Sequence, residues 1–143
     1  MDKKNKCTKL FTQKADRQKV FMIEWNPSGS EFATVGVKHY YSWAFSPTAL
    51  KAKKGALSSI KTAPGKSMGF SSVSWSKKKN GMLAGGSDGT IYTWKGAAIA
   101  GKEPAHKKMI SCLNVCEHDG KEIVITGSSD KTIKVFDNSG AKL

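Results

Sequence analysis

Three histidines and three cysteines are the side chains of this sequence best suited to metal binding. Cys112 and Cys116 lie four residues apart with His118 close by, which raises the question of a zinc site. If residues 110–115 form a strand, about 13 Å of strand rise separates the two sulfurs, too far for one tetrahedral ion. An odd cysteine count disfavours a disulfide framework. We therefore predict no metal site, and buried apolar thiols instead.

Two aspartates and a glycine pair are the remaining candidates for catalysis. Asp88 and Asp130 follow serine in turns at equivalent places, where a carboxylate bonds backbone N–H groups two residues on. Gly85-Gly86 precedes a hairpin rather than a helix, so it lacks the geometry of a phosphate-binding loop. Catalysis needs a positioned nucleophile, base or metal. We predict a protein that is not an enzyme and takes no cofactor.

Positive charge is spread unevenly along the chain, whose formal net charge is +13. Residues 1–87 hold 16 Lys or Arg and 4 acids, whereas residues 88–143 hold 8 and 7. No acid lies between Phe32 and Ser87. Such a surface is either a solvated lysine coat or a face for a polyanion: acidic protein tails, nucleic acid or anionic lipid. The expected partner-binding lysines are Lys51, Lys53, Lys54, Lys61, Lys66, Lys77, Lys78 and Lys79.

The elements that must position these side chains are short strands in three repeats. The runs alternate with period two, are rich in Val, Ile, Tyr and Trp, and are split by turns such as Asn-Gly and Asp-Gly. No window sustains a helical stripe. The predicted strands are 20–25, 31–36 and 39–43; 70–75, 81–86 and 90–94; and 110–115, 122–127 and 132–136. Weaker fourth strands are predicted at 50–53 and 97–100, with a further strand at 7–12.

The repeats predict an all-β fold of about three four-stranded propeller blades. Trp43 and Trp94 are 51 residues apart, and Trp94 and Phe136 are 42 apart, so a lysine-rich insertion lies in the first interval. The expected segments are 1–18, an outer strand of a preceding or closing blade with a basic tail; 19–66, blade 1 with the insertion; 67–105, blade 2; and 106–143, an incomplete blade 3. Three blades cannot close a ring of four to eight. They belong to a larger propeller, or copies associate as a homo-oligomer to complete one.

The third repeat carries the most specific motif. Thr126-Gly-Ser-Ser-Asp130-Lys-Thr-Ile-Lys-Val-Phe136-Asp137 resembles the WD40 signature, with Phe-Asp where Trp-Asp is usual. That resemblance implies a buried hydrogen-bond network of His106, Thr126, Asp130 and the residue at Phe136. Phe136 has no N–H to donate, so we expect a truncated network.

The other two repeats keep only parts of this pattern. By the same resemblance, the second repeat keeps Asp88 and Trp94 but has Ala84 where the family has a hydroxyl. The first repeat keeps Trp43 and lacks the aspartate. All of these residues are expected to have structural roles.

A narrower resemblance covers roughly residues 10–137. Gly36-Val-Lys-His39-Tyr-Tyr-Ser-Trp43, followed by Leu50-Lys-Ala-Lys-Lys-Gly55, is similar to a passage of the echinoderm microtubule-associated protein-like family. Gly85-Gly-Ser-Asp-Gly-Thr-Ile-Tyr-Thr-Trp94-Lys-Gly96 resembles the next blade of those proteins. Val37 replaces the usual lysine, and neither the family's opening motif nor its coiled coil is present. The resemblance implies a scaffold for acidic tubulin surfaces, cytoplasmic and cytoskeleton-associated.

Two alternatives stay open beside the tubulin reading. One is a WD40 scaffold that binds a peptide or protein without any tubulin role. The other is an RNA- or ribosome-associated protein, for which Tyr40, Tyr41 and Phe45 are the only aromatics near the lysines that could stack on bases. No apolar run approaches the roughly 18 residues of a membrane span, so we expect no membrane insertion.

Overall fold

The computed structural model describes residues 6–62 and 64–138, which form three antiparallel β-sheets. The first sheet contains β1 (Val20–Trp25), β2 (Glu31–Gly36), β3 (His39–Ser46) and β4 (Ala49–Lys54), in that order. The second contains β5 (Phe70–Ser76), β6 (Gly81–Gly86), β7 (Thr90–Lys95) and β8 (Ala98–Pro104). The third contains β9 (Ile110–His118), β10 (Lys121–Ser128) and β11 (Ile133–Asp137). One 3₁₀ turn, Leu57–Ser59, lies between the first two sheets.

The predicted all-β fold of propeller blades is confirmed, and we call the three sheets the first, second and third blade. The two predicted fourth strands are present as β4 and β8. The predicted strand at residues 7–12 differs: no strand forms in the described part of the chain before Val20. Phe11 instead packs edge-on against Phe45 of β3, with ring centroids 6.1 Å apart. The segment contacts the face of the first blade, where no strand edge can accept ladder hydrogen bonds.

The turns between strands lie at two opposite ends of the blades. Because consecutive strands are antiparallel, the β2–β3, β6–β7 and β10–β11 turns share one end with the β4–β5 and β8–β9 connections; we name it the insertion end. The β1–β2, β3–β4, β5–β6, β7–β8 and β9–β10 turns lie at the other, the hairpin end. Asn80 and Asp119 take positive φ of 47° and 48° there, as their Asn-Gly and Asp-Gly sequences predict.

Two apolar clusters hold the three blades face to face. Between the first and second blades, Tyr40 stacks on Trp94 with ring centroids 3.9 Å apart, and Phe70 meets both rings edge-on. Between the second and third blades, Ile110 and Val124 of the third blade share one apolar cluster with Leu83 and Ile91 of the second. Trp94 is fully buried and therefore belongs to the core between the first two blades.

The two outermost faces have no neighbouring blade within the described chain. On the first blade, Phe21 and Ile23 are 58% and 54% exposed; on the third, Ile125 and Ile133 are 41% and 77% exposed. Cys112 and Cys116 are also exposed, so the prediction of buried thiols is wrong. Their strand, β9, turns that face to solvent because no further blade follows β11 within the described residues.

In the described residues no helix has the length and apolar character to cross a membrane.

Candidate functional site

The third blade contains a buried network of three side chains from three elements. His106 precedes β9, Thr126 lies on β10 and Asp130 lies in the β10–β11 turn. His106 Nε2 is 2.7 Å from Thr126 Oγ1, and His106 Nδ1 is 2.9 Å from Asp130 Oδ2. The Thr132 hydroxyl, His106 and two backbone N–H groups hold the pKa of Asp130 well below its usual range. The carboxylate thus stays charged and fixes the β8–β9 connection to the turn.

Phe136 lies on β11 and belongs to the apolar packing between the second and third blades. A phenyl ring has no donor, so the hydroxyl of Thr126 receives no indole N–H. That hydroxyl instead donates to the Lys134 carbonyl at 3.4 Å. The structure therefore brings together His106, Thr126 and Asp130, with Phe136 contributing packing only.

The first blade contains a second version of the network, which sequence reasoning missed. Thr34 Oγ1 accepts the indole N–H of Trp43 at 2.9 Å and lies 2.8 Å from His39 Nε2. His39 is fully buried, and its Nδ1 is 3.7 Å from Asp16 Oδ2. Burial lowers the pKa of His39, partly offset by Asp16. The aspartate absent from the β2–β3 turn is thus supplied by the segment before β1.

The histidine and the aspartate exchange places between the first and third blades. Asp16 stands four residues before Val20, just as His106 stands four residues before Ile110. In the third blade the histidine comes from the preceding connection, whereas in the first blade the aspartate does. Aligning the repeats on strand starts is the signal that could have found Asp16.

The second blade keeps only a remnant of the network. Asp88 accepts the Thr90 backbone N–H at 3.0 Å and the Tyr92 hydroxyl at 2.6 Å. Burial and this hydrogen bond raise the pKa of Tyr92 above its usual range. The buried indole N–H of Trp94 has no acceptor among the described residues, because Ala84 occupies the place of Thr34 and Thr126. Asp88 and Trp94 therefore hold the blade together separately.

The predicted partner-binding lysines do not form one surface. Lys77, Lys78 and Lys79 lie in the β5–β6 turn at the hairpin end, and Lys51, Lys53 and Lys54 lie along β4. Lys61 and Lys66 lie in the β4–β5 connection at the opposite, insertion end. The acid-free stretch thus spreads positive charge over both ends of the first two blades.

Lys61 and Lys66 face two lysines that sequence reasoning did not name. Lys107 and Lys108, in the β8–β9 connection, line a cleft of about 820 Å³ with them. We name this the insertion cleft. The two pairs are about 40 residues apart in the chain, so the distribution of charge along the sequence does not show that they line the same cleft. Within the described residues, no group of three or more His, Cys, Asp or Glu side chains could hold a metal ion.

Antiparallel sheets of three or four strands that stack face to face are typical of the blades of a β-propeller. The family model described as "WD domain, G-beta repeat" matches residues 57–95 and 101–137. The protein belongs to the WD40 repeat family. The first blade lies outside that match, and its place in the array rests on its strand order and on Trp43.

Other proteins resemble most of this chain. It is 28% identical over 141 residues, 96% of its length, to the "Ciliary WD repeat-containing protein ctxp80" of Euplotoides octocarinatus. It superposes on the WD40 propeller domain of Doa1 with a TM-score of 0.68 at 22% identity, covering 91% of this chain and 41% of that one. For the RRP9 WD40 repeats the TM-score is 0.67 at 16% identity, and the superposition covers 90% of this chain and 38% of that one. The chain spans 18% of the ciliary protein.

Proposed function

We propose that this protein is a non-enzymatic interaction scaffold that binds acidic protein surfaces, with microtubules as the partner. WD40 propellers typically serve as scaffolds for protein partners. The observation that carries the proposal is the acid-free stretch between Phe32 and Ser87, whose nine lysines lie on both ends and one edge of the first two blades. Exposed charges of one sign attract an oppositely charged partner at long range.

Two further features favour a cytoskeletal setting. The resemblance of residues 36–55 and 85–96 to the echinoderm microtubule-associated protein-like family implies tubulin as the partner, and tubulin surfaces are acidic. The relative from Euplotoides octocarinatus carries "ciliary" in its name, and cilia are built on microtubules. A cytoplasmic, cytoskeleton-associated location is part of this proposal.

Co-sedimentation with microtubules at about 50 and 200 mM salt tests the proposal. We expect pelleting at low salt that weakens at high salt, because exposed charges are screened. The triple variant Lys53→Gln, Lys61→Gln and Lys78→Gln should pellet less. Its control removes three lysines from the acid-containing half: Lys95→Gln, Lys121→Gln and Lys131→Gln. A folded protein that does not pellet at low salt, or equal losses in both variants, contradicts the proposal.

The structure weakens the RNA alternative. Tyr40 is buried against Trp94, and the rings of Tyr41 and Phe45 are half-buried against neighbours on the first blade. Sequence-tolerant RNA binding uses exposed aromatic faces among basic residues. A gel shift with single-stranded RNA at both salt concentrations separates the alternatives, since phosphate contacts give a steep salt dependence.

A further inference from the structure

We infer that the insertion cleft is the docking site for an extended acidic peptide segment that contains an apolar residue. This inference rests on the proposed scaffold function and gives it a location. It rests on the charge of the cleft, on the hydrogen bonds that hold its two walls, and on the type of apolar surface inside it.

The charge of the insertion cleft is almost entirely positive. Lys61 and Lys66 line it from the β4–β5 connection, and Lys107 and Lys108 line it from the β8–β9 connection. Its lining contains one acid, Asp88, whose carboxylate accepts hydrogen bonds from Thr90 and Tyr92 within the second blade. Four lysines therefore line the cleft, and a ligand with several carboxylates complements their charge.

The wall from the β4–β5 connection is held in place by local hydrogen bonds. The Thr62 hydroxyl donates to the Lys66 carbonyl at 2.9 Å. Gly69 N–H donates to Ser87 Oγ at 3.1 Å, and Ser87 N–H donates to the Gly69 carbonyl at 2.9 Å. These bonds join the insertion to the β6–β7 turn and hold its described residues in place before a ligand arrives.

The opposite wall is fixed by the network of the third blade. Lys107 N–H donates to Asp130 Oδ2 at 3.3 Å, on the same oxygen that His106 contacts. The Ser128 hydroxyl donates to the Met109 carbonyl at 2.8 Å. The buried network thus positions Lys107 and its neighbour Lys108. Because hydrogen bonds hold these walls before binding, less conformational entropy is lost when a ligand binds.

The apolar surface of the cleft favours a peptide over a nucleic acid. Met68 and Met109 line it, and Met109 is 43% exposed. Methionine adapts to varied apolar side chains. The lining includes no aromatic ring on which a base could stack. Its cations are all lysines, which lack the planar fork that arginine offers to phosphates and guanine.

Fluorescence anisotropy of the full chain with two labelled peptides tests the inference. One peptide contains only glutamate, and the other has the same glutamate count with one leucine inserted at its centre. The cleft variant replaces Lys61, Lys66, Lys107 and Lys108 with Gln. The control variant replaces Lys51, Lys53, Lys77 and Lys79 with Gln, which changes the net charge equally. Circular dichroism verifies that both variants are folded.

We expect the cleft variant to weaken peptide binding at least about tenfold more than the control variant does. Met109→Ser should weaken binding of the leucine peptide more than binding of the all-glutamate peptide, and so remove the advantage of the leucine peptide. Equal weakening by the two lysine variants overturns the inference. Binding of a single-stranded RNA of equal charge more tightly than either peptide, through the same lysines, also overturns it.

Microtubule pelleting of the same variants separates this inference from the proposed function. Peptide binding at the cleft without pelleting of the unsubstituted protein removes the microtubule partner and leaves the cleft assigned. Pelleting that the two lysine variants weaken equally leaves the scaffold function and overturns the cleft as its site.

Discussion

At the scale of single residues, the three blades show how one hydrogen-bond network tolerates loss of its members. The indole of Trp43 donates to Thr34, whereas the equivalent indole of Trp94 faces Ala84 and has no acceptor among the described residues. Phe136 avoids the problem because a phenyl ring has no N–H. The second blade therefore contains the costliest version, since a buried unpaired donor loses its hydration without compensation.

Ala84→Ser should stabilise the protein by about 1–2 kcal/mol, because the new hydroxyl can accept the N–H of Trp94. Thr34→Val makes the reverse change in the first blade and should destabilise by about 1–3 kcal/mol, since Trp43 and His39 both lose their partner. Urea denaturation measures both free energies of unfolding. A destabilised Ala84→Ser variant would show that the second blade cannot accommodate a hydroxyl at this position.

His39 gives stability a pH dependence. Burial lowers the pKa of His39 below its ordinary value of 6.5, although Asp16 partly opposes this and Lys54 adds to it. Below pH 6.5 the unfolded chain then binds more protons than the folded one, so stability is full above that pH and falls as pH drops through the lowered pKa. The lowered pKa of Asp130 acts only below about pH 4.

The free energy of unfolding measured at pH 7.5 and pH 5.5 checks this dependence. We expect the unsubstituted protein to lose stability between these values, and His39→Gln to lose less of it. Asp16→Asn should lose more than the unsubstituted protein, because the carboxylate favours the protonated imidazole. An unchanged slope in His39→Gln would assign the dependence to other groups.

At the scale of elements, the junction between the second and third blades includes a turn that accepts only glycine at one position. Gly89, in the β6–β7 turn, has φ of 83°, and its carbonyl accepts the N–H groups of Ala105 and His106 at 3.1 and 2.9 Å. A Cβ added there would lie 2.1 Å from the His106 carbonyl oxygen. The turn can therefore approach the β8–β9 connection only without a side chain.

Gly89→Ala should cost well over the roughly 1 kcal/mol that a positive φ alone imposes on alanine. Its control is Gly120→Ala, where φ is 72° and nothing lies within 4 Å of the added Cβ. Thermal unfolding of the two variants separates the cost of the positive φ, which both share, from the cost of the steric clash, which only Gly89→Ala has. Equal losses would mean that the junction moves aside at little cost.

Sequence patterns predict the strands and turns of this chain better than they predict which of these elements pack against one another. Period-two runs and the Asn80 and Asp119 turns locate the strands because both signals are local. The partnership of Asp16 with His39, and of Lys61 with Lys107, depends on how blades pack across long separations. Exposure of Cys112 likewise depends on a neighbouring blade, which no local pattern reports.

At the scale of the whole molecule, the described blades carry two apolar faces that have no neighbouring blade. The chain covers 41% of the Doa1 propeller domain, and a closed propeller gives each of its blades a neighbour on both sides. Among the described residues, one apolar face is open at each end of the stack, and Ile133 is 77% exposed. Faces of this kind drive association.

Copies of this chain should associate face to face as concentration rises, the third blade of one against the first blade of another. Sedimentation velocity over a micromolar concentration series measures this. Ile125→Lys with Ile133→Lys places two charges on the open face of the third blade and should leave the protein monomeric. The control, Thr48→Lys with Ser58→Lys, adds the same charge at exposed polar positions and should associate as before. A protein that stays monomeric without substitution contradicts the expectation, and equal losses in both variants would attribute association to net charge rather than to the apolar face.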